Sequence, residues 1–467
     1  MNIRRRQVLS FAGGSLLTTL TGAAQARGRW PRRLRRDVCV VGGGSAGAHA
    51  ALRLQDQGSS VAVIERSGRL GGHAQTYVDP DSGVPINIGV IVFEDVELVR
   101  NYFDRFGVVT APFGMSGSAP NYVDFTTGTE VDGYAPPSQD ETGAALFAYR
   151  QILATQFPYL DDGFELPDPV PEDLAMPLSA FVEKYSLQAL VPTLFQFGQG
   201  LGDVLSNPAL YVLKNFSAAV VDSILGVGFV TIPSGVATLY DAAAAELADE
   251  VIYHSVVTCV ERKHRGRYPV EVQVYTPHGP MVVECKKLLV AFPPSPASFA
   301  PFDFDRQEAK LFRAFRPNHY STGVVKLSGL PAAASLQNIG TDTPYHLPPL
   351  PGLYGLNPTG APDLWNVKYG SPFLLGEHQV QHAIRRDIRR IGRRGPFPVR
   401  FEGFATFKNH SPFELMASSA QVARGFHARV NALQGYRNTF YTGATFQTHD
   451  SSLIWRFNER LVPTIFS

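Results

Sequence analysis

The stretch Asp37-Val38-Cys39-Val40-Val41-Gly42-Gly43-Gly44-Ser45-Ala46-Gly47 decides the fold of this 467-residue chain. Its first half is a short apolar run, typical of a buried parallel strand. Its second half fits the pattern G-x-G-x-x-G, and residues 46–57 have helix-forming composition up to the helix-ending Gly58. A second strand, Val61-Ala62-Val63-Ile64, ends at the acidic Glu65. Strand, glycines, helix, strand and acid in this order predict a Rossmann-type dinucleotide-binding unit.

Each residue type in this unit has a chemical reason. Gly42 permits the tight turn, Gly44 lets the backbone approach a pyrophosphate, and Gly47 lets the helix pack on the strand. A helix N-terminus has free N–H groups and a dipole that favour an anion. Glu65 is placed to accept hydrogen bonds from a ribose diol. The predicted cofactor contacts in the glycine-rich turn are therefore Gly42, Gly44, Ser45, Ala46 and Gly47.

The segment after Glu65 distinguishes FAD from NAD. It reads Arg66-Ser67-Gly68-Arg69-Leu70-Gly71-Gly72-His73, and its glycine pair resembles the second fingerprint of flavoproteins with two dinucleotide domains. Arg69 is well placed for a phosphate, and the glycines allow an extended cofactor to come close. We therefore predict FAD, with cofactor contacts at Glu65, Arg66, Arg69, Gly71, Gly72 and His73.

Further segments resemble those of the amine-oxidase type of FAD oxidoreductases. They are Pro85-Ile86-Asn87-Ile88-Gly89, Gly235-Val236-Ala237-Thr238-Leu239, Val256-Val257-Thr258-Cys259-Val260, Leu288-Leu289-Val290-Ala291-Phe292-Pro293-Pro294, Tyr441-Thr442-Gly443-Ala444 and His449-Asp450-Ser451-Ser452-Leu453. Within this family the chain most resembles the branch that contains β-cyclopiazonate dehydrogenase. The resemblance to that branch is carried by Gly71–Tyr77, Asn87–Phe93, Asn409–Phe413 and Leu433–Thr439.

The resemblance implies a set of cofactor contacts outside the first unit. These are Gly89 at the flavin face, Val257 at the adenine, and Gly443, Ser451, Ser452 and Leu453 in the closing flavin motif. Helix-start N–H groups near the flavin pyrimidine ring would stabilise negative charge on a reduced flavin. No cysteine lies near the closing motif, which excludes a cysteinyl flavin link, whereas a histidyl link at His73 stays open.

The motifs also predict the domain organisation. Residues 37–110, 225–300 and 397–467 carry them and are predicted to form the FAD-binding domain. Residues 111–224 and 301–396 are predicted to form a substrate-binding cap. The expected fold class is α/β, with a Rossmann-type FAD-binding domain and an α+β substrate-binding domain, as in amine oxidases and glutathione reductase.

The N-terminus has the composition of an export signal. Arg4-Arg5-Arg6-Gln7-Val8-Leu9 is a twin-arginine pattern, a weakly apolar stretch follows, and Ala24-Gln25-Ala26 has the small-x-small form of a cleavage site. We predict a twin-arginine signal peptide over residues 1–26 and a solvated basic linker over 27–36. The twin-arginine export machinery is then a partner, and the expected location is periplasmic or extracellular.

Composition excludes several classes of protein. The first 36 residues hold nine arginines and no acid, which leaves 33 of the 42 Lys and Arg against 41 Asp and Glu in the rest of the chain. That acidic body argues against nucleic-acid binding, although residues 379–394 are predicted to form a basic surface helix. Three cysteines without metal-type spacing argue against a Cys-based metal site, and no metal is expected. No segment is long and apolar enough for a stable membrane span.

A flavin carries out hydride chemistry itself, so few side chains are strictly required for catalysis. The candidate catalytic residues are His410 for acid–base work or substrate orientation, Lys326 as a counterpart of the lysine near flavin N5 in many amine oxidases, and Tyr320 as an aromatic pocket wall. His410 has a structural alternative, in which it only hydrogen-bonds the turn that follows it.

Three functions fit these patterns. The first is an FAD-dependent oxidoreductase that takes hydride from a small or medium organic substrate, an amine being one option, and returns electrons to O₂ or another acceptor. The second is a flavin-dependent isomerase of an unsaturated fatty acid or similar lipid, without net oxidation. The third is a flavin-binding protein without turnover.

Overall fold

The computed structural model describes residues 31–114, 119–262 and 265–467. The strands are β1 (Arg32–Val41), β2 (Val61–Ile64), β3 (Thr76–Val78), β4 (Pro85–Asn87), β5 (Phe93–Glu94), β6 (Ala111–Pro112), β7 (Asn121–Asp124), β8 (Thr129–Glu130), β9 (Phe229–Thr231), β10 (Val251–Ile252), β11 (Val256–Arg262), β12 (Val270–Thr276), β13 (Gly279–Val290), β14 (Arg316–Pro317), β15 (His319–Ser328), β16 (Leu336–Asn338), β17 (Gly352–Pro358), β18 (Leu364–Ser371), β19 (Arg400–Asn409), β20 (Leu415–Met416) and β21 (Thr439–Tyr441). The α-helices are α1 (Ser45–Asp56), α2 (Glu97–Asp104), α3 (Gln139–Gln156), α4 (Glu172–Ala175), α5 (Leu178–Lys184), α6 (Val191–Phe197), α7 (Ala209–Asn215), α8 (Ala218–Asp222), α9 (Ala237–Leu247), α10 (Arg306–Phe312), α11 (Glu377–Arg394), α12 (Ser419–Ala423), α13 (Phe426–Asn431) and α14 (Ser451–Leu461).

The first sheet contains the predicted dinucleotide unit. Its order is β10-β2-β1-β13-β12-β11, and β21 pairs with the end of β13. The pairs among β10, β2, β1, β13 and β21 are parallel, so their carboxyl ends lie at one edge of the sheet. Residues Val38–Val41 and Val61–Ile64 are buried, because helices cover both faces of a parallel sheet. The predicted α/β fold class and its Rossmann-type unit are confirmed.

The second sheet has the order β19-β15-β18-β17-β16-β7-β8 and is mostly antiparallel. Helix α11 packs one buried stripe on it through Val380, Ile384, Ile388 and Ile391. Strand β19 lies within residues 397–467, which the sequence assigns to the cofactor domain, yet it pairs with β15 of the second sheet. That part of the segment therefore belongs structurally with the predicted substrate-binding domain.

The start of the chain differs from the sequence-based expectation. The predicted basic linker over residues 27–36 is wrong for Arg32–Arg36, which form the first half of β1 and pair with β13. Arg33 and Arg35 are tolerated in this strand because both reach the Glu284 carboxylate across the pair, at 2.5 and 2.8 Å. The predicted signal peptide, residues 1–26, lies outside the described residues.

A helix that crosses a membrane must be long and apolar, and this can be checked for the helices of the described residues. No single helix there is long and apolar enough to cross a bilayer, although the pair Ala209–Asn215 and Ala218–Val227, bent by 44°, passes a test of length and composition when taken together.

Candidate active site

The glycine-rich turn joins β1 to α1 with almost no free space. Gly42 has φ +102°, and a Cβ at that position would lie 2.9 Å from the Ala291 carbonyl oxygen. A Cβ on Gly47 would lie only 1.9 Å from the Gly42 carbonyl oxygen. Helix α1 begins at Ser45 without a side-chain cap, so its first N–H groups are available to an anion. The turn therefore has the construction of a phosphate cradle.

Glu65 lies at the carboxyl end of β2, as the sequence predicts. Its buried carboxylate accepts hydrogen bonds at 2.7 Å from the backbone N–H groups of Gly43 and Ser67. Each carboxylate oxygen has a further lone pair, which suits a ribose diol. The Glu65 carbonyl accepts a hydrogen bond from Ser255 N–H at 2.9 Å, which brings the start of β11, and with it Val257, beside this acid.

The glycine pair after Glu65 approaches the first turn closely. Gly71 N–H donates to the Gly43 carbonyl at 2.8 Å, and a Cβ on Gly72 would lie 3.0 Å from Gly44 Cα. Arg69 does not have the free position predicted for a phosphate contact. Its guanidinium donates to three carbonyls of the same loop, those of Leu70, Gly72 and Ala74. Arg69 therefore shapes the loop, whereas Arg66 is exposed to solvent.

A second helix N-terminus meets the first. Ser45, at the start of α1, donates to the Ser451 hydroxyl at the start of α14 over 3.2 Å, and it accepts from Trp455 Nε1 at 3.0 Å. Asp450 caps α14 by accepting from Leu453 N–H. Gly443 adopts φ +102° and packs against Ala46. The N-termini of α1 and α14, each with a positive partial charge, thus lie close together, which favours binding of an anionic cofactor.

Glu94 is a buried acid in this region that sequence analysis did not find. Its carboxyl group accepts a hydrogen bond from the Ser452 hydroxyl. Burial, together with the nearby Asp450, raises the pKa of Glu94 well above its usual range. Burial of Glu94 thus disfavours its negatively charged form beside the start of α14.

Four rings from three distant segments form what we call the imidazole cluster: His73, His410, Phe413 and His449. The His73 and His410 rings stack with centroids 4.2 Å apart, and the Phe413 and His449 rings stack at 3.7 Å. His73 also lies 5.9 Å from Phe413 and 6.5 Å from His449. The predicted residues His73 and His410 are therefore brought together, with two further rings.

Two predicted residues border this cluster. Tyr320, on β15, packs against Phe413 with ring centroids 4.8 Å apart, and its carbonyl accepts from His410 N–H at 2.9 Å. Gly89 lies next to it, because a Cβ there would meet the His73 carbonyl oxygen at 1.7 Å and His410 Cε1 at 3.6 Å. Gly89 is thus a glycine because the His73 backbone occupies the space that a side chain would need.

The three histidines of the cluster are neutral at neutral pH. Burial lowers the pKa of His73 to about 4 and that of His449 to about 3, and each imidazole is further disfavoured as a cation by its neighbours. The pKa of His410 falls well below its usual value, through burial first and then through His73 and His449. Its Nε2 is buried and has no hydrogen-bond partner among the described residues. A buried imidazole nitrogen without a partner is uncommon in folded proteins, which makes it a candidate contact for a bound molecule.

The acid in contact with the cluster is Glu414, whose carboxylate oxygen lies 3.2 Å from His449 Nε2. Its side chain is nearly inaccessible to solvent, with 3 % of the residue exposed. Burial raises the pKa of Glu414 to about 8, and the positive charge of Lys214 opposes that rise. At neutral pH this acid is therefore largely protonated, and it does not present an anion to the cluster.

The buried Glu414 should make the stability of the protein depend on pH. Below about pH 5 the Glu414 carboxyl is protonated in both the folded and the unfolded protein, so its raised pKa does not affect the free energy of unfolding. As pH rises from there towards about 8, the unfolded protein loses this proton first, and the free energy of unfolding falls. We expect Glu414→Gln to remove this loss and to be about 2–4 kcal/mol more stable than the parent near pH 8, with little difference near pH 5. Denaturant unfolding of the FAD-loaded proteins at both pH values measures this. The exposed Glu183→Gln serves as the control, and equal pH slopes for the parent and Glu414→Gln would contradict the assignment.

Lys214 is a buried cation that the sequence marks only as a lysine inside an apolar run. Its ammonium donates to the Leu160 carbonyl at 2.6 Å, to the Gly163 carbonyl at 2.9 Å and to Gln447 Oε1. Burial lowers the pKa of Lys214 to about 7. The three hydrogen-bond acceptors around the ammonium group offset part of the cost of burying it. Because Gln447 precedes α14, Lys214 ties the helices of the substrate side to the closing flavin motif.

Loss of this cation should loosen the closing motif. Lys214→Met is of similar length but leaves three buried acceptors unpaired, each at a cost of about 1–3 kcal/mol. We expect a thermal midpoint lower by about 5 °C or more and faster release of FAD. Differential scanning fluorimetry with flavin fluorescence as the readout measures both. Lys310→Met, on the surface helix α10, is the control. An unchanged midpoint would show that water replaces the ammonium.

Lys326 is not part of the site. Its side chain is exposed on β15. Its positive charge contributes to lowering the pKa of Asp79, which is lowered chiefly by hydrogen bonds from Ser82. The sequence-based comparison with an N5-side lysine is therefore wrong for Lys326. The same strand instead brings Tyr320 to the cluster, and β18 pairs Lys368 with Thr322 two residues further along. Burial lowers the pKa of Lys368.

The residues present fit a dinucleotide that extends from Glu65 to the imidazole cluster. The uncapped start of α1 suits the pyrophosphate, and Glu65 suits the ribose. The start of α14 and Gly89 lie towards the cluster. No group of three or more His, Cys, Asp or Glu side chains in the described part of the chain has metal-site geometry.

Comparisons with known proteins agree with this fit. The family profile for flavin containing amine oxidoreductases matches residues 46–337, which is more than half of the chain. The FAD-dependent oxidoreductase oblC from Cochliobolus heterostrophus is 36 % identical over 439 residues, covering 92 % of this chain and 90 % of that protein. The β-cyclopiazonate dehydrogenase from Aspergillus oryzae is 33 % identical over 457 residues, covering 97 % and 98 %.

Solved structures share the fold at lower sequence identity. The CLA-producing fatty acid isomerase from P. acnes superposes with a TM-score of 0.74 at 19 % identity, covering 92 % of this chain and 99 % of that one. Putrescine oxidase bound to putrescine superposes with a TM-score of 0.63 at 18 % identity, covering 93 % and 99 %. At such identities these two structures establish the fold alone.

Proposed function

This chain belongs to the flavin-containing amine oxidoreductase family, is an enzyme and uses FAD; from that premise we propose that it oxidises, at the imidazole cluster, a largely apolar organic substrate that carries no positive charge. FAD, when bound, accepts a hydride from a substrate carbon. The observation that carries the proposal is the unpaired, buried Nε2 of His410 within the cluster of stacked rings beside Gly89.

The charge state of the imidazole cluster disfavours a protonated alkylamine as the substrate. An ammonium substrate needs an anion or a set of acceptors to replace its water shell. The acid that touches the cluster, Glu414, is held protonated by burial, and the histidines are neutral. Neutral rings instead offer stacking surface to a planar or unsaturated skeleton. His410 Nε2 would hold a polar group of that skeleton or accept a proton from it.

Similar proteins support the same substrate class. The relatives at 33–36 % identity include a β-cyclopiazonate dehydrogenase, so oxidation of an organic compound other than a protonated alkylamine is the function we favour. The electrons would pass to O₂ or to another acceptor. The superposition with a fatty acid isomerase supports the alternative, in which hydride returns to the same lipid without net oxidation.

Anaerobic spectroscopy distinguishes these functions. The FAD-loaded protein is mixed without oxygen with β-cyclopiazonate, with an unsaturated fatty acid or with putrescine, and the visible flavin band is followed. We expect bleaching with the first class, and its reversal on admission of air or an artificial acceptor. A fatty acid product with shifted double bonds and no acceptor consumption would favour the isomerase. Bleaching by putrescine alone would overturn the proposal that the substrate carries no positive charge, and no bleaching even by dithionite would indicate a protein without turnover.

We further propose export by the twin-arginine route to the periplasm or the exterior. The support is the sequence pattern of residues 4–26 alone, which lies outside the described residues. The proposed domain boundaries likewise follow the sequence motifs, with β19 reassigned as described above. The histidyl flavin link at His73 stays a prediction, and denaturation with release or retention of the flavin tests it.

A further inference from the structure

The outward face of α11 consists of basic side chains. The helix buries Val380, Ala383, Ile384, Ile388 and Ile391 on the second sheet. On the opposite face, exposed basic side chains recur at helical spacing: His378, His382, Arg385, Arg386, Arg389 and Arg393. The six arginines within α11 are balanced by two acids, Glu377 in the first turn and the buried Asp387. This arginine face is therefore a concentrated positive surface.

Helix stability does not explain this pattern. Like charges four residues apart, such as Arg385 with Arg389 and Arg389 with Arg393, weaken a helix. The helix dipole favours cations only in the last turn, so it accounts for Arg393 but not for Arg385. Asp387 takes up Arg386 and Arg390 at 3.2 Å each. In the described parts of the chain, no carboxylate pairs with Arg385, Arg389 or Arg393.

An exposed apolar pair lies beside the start of the same helix. Phe373 is 52 % exposed and Leu374 is 69 % exposed, four and three residues before α11 begins. Leu375 turns inward and packs with the second-sheet core. Cationic side chains next to exposed apolar ones match the chemistry of a bilayer surface, where the charges meet phosphates and the apolar groups enter the acyl boundary.

We propose that the arginine face of α11, with Phe373 and Leu374, docks the protein on an anionic phospholipid bilayer. The charge distribution of the chain favours this partner over a nucleic acid. From residue 37 onward acids outnumber bases, 41 to 33, so the rest of the surface repels a polyanion that would wrap around the protein. A bilayer contacts only one face of the protein. At physiological salt, charge–charge interactions are screened over a distance of about 8 Å, so acids farther from the bilayer repel it little. This inference does not depend on the substrate proposed above.

Vesicle binding by the FAD-loaded protein tests the proposal. The probes are vesicles of pure phosphatidylcholine and vesicles in which about one third of the lipid is phosphatidylserine, compared by co-sedimentation. We expect binding to the second kind only, and its loss at high salt. The variant R385Q/R389Q/R393Q should bind about 100-fold more weakly, since each arginine contributes about fivefold near such a surface. F373S/L374S should bind about tenfold more weakly.

A matched variant separates local from net charge. R313Q/R424Q/R429Q removes three exposed arginines elsewhere and should bind as the parent does. Flavin content and melting temperature establish that every variant is folded. Equal binding to both kinds of vesicle, or equal loss in both triple variants, would overturn the proposal. Tighter binding to duplex DNA than to phosphatidylserine vesicles at the same salt would also overturn it and point to a nucleic acid.

Discussion

Gly47→Ala should give a protein that no longer keeps FAD through desalting. The added Cβ would lie 1.9 Å from the Gly42 carbonyl oxygen, and that atom belongs to the backbone and cannot rotate away. Helix α1 must therefore move off β1, and the Gly42–Gly44 turn moves with it. Because the uncapped start of α1 is the phosphate cradle, we expect FAD affinity to fall by at least about 100-fold, which removes about 2.7 kcal/mol or more of ligand-linked stability.

A second glycine in a helix provides the control. Gly143 lies inside α3 with nothing within 4 Å of an added Cβ, so Gly143→Ala should raise stability by about 0.5–1 kcal/mol and leave FAD content unchanged. Flavin absorbance per chain and far-ultraviolet circular dichroism, before and after adding FAD, measure both variants. Full FAD occupancy in Gly47→Ala would show that α1 does not carry the pyrophosphate.

The second large effect is expected at His410. His410→Phe keeps a ring that can stack on His73 but removes the unpaired Nε2. If that nitrogen orients the substrate or takes its proton, the rate of flavin reduction by substrate falls about 10²–10⁴-fold while dithionite still reduces the flavin. His410→Gln, which places a polar atom near the same position, should restore part of the rate. Anaerobic stopped-flow measures these rates once a substrate is known.

The pH profile gives an independent check on His410. Because its pKa is lowered well below the usual value, the neutral imidazole persists through neutral pH, and the parent rate should fall only at acidic pH. His427→Phe is the matched control, since His427 is also buried and stacked, on Phe164 at 3.9 Å, but lies outside the cluster. It should lower stability and leave the reduction rate unchanged. A rate for His410→Phe within about threefold of the parent would assign His410 the structural role instead.

Sequence patterns predicted the cofactor side well, because that side is built from local units. The strand over Val61–Ile64 has the predicted bounds, and α1 begins at Ser45, one residue before the helix predicted over residues 46–57. Arg69, whose phosphate contact stays a prediction, shows what the sequence could not specify on this side. The sequence shows a cation beside a glycine pair, but only the folded loop shows its guanidinium already engaged by three carbonyls.

The substrate side was less predictable, because no local pattern specifies which distant side chains will meet. Lys326 and Tyr320 belong to the same strand, but Tyr320 lies at the end of β15 beside Phe413, whereas Lys326 lies near the other end, opposite Leu364 and Gly403. Lys326 is exposed, whereas Tyr320 reaches Phe413. Glu414, His449 and Lys214 are ordinary polar residues in the sequence, and they become a buried network only when α7, β20 and α14 pack together.

The sequence by itself determined the dinucleotide unit, the FAD preference, the family and the basic helix. The dinucleotide unit and the basic helix depend on spacings within some 30 residues, where strand and helix periods and the needs of glycine leave few alternatives. The family follows from a resemblance carried by motifs spread along the chain. Tertiary structure alone decided the imidazole cluster, the protonation of Glu414 and the position of Arg32–Arg36 in a strand. These depend on burial and on contacts between segments hundreds of residues apart, and such contacts are set by packing of the whole chain rather than by any local pattern.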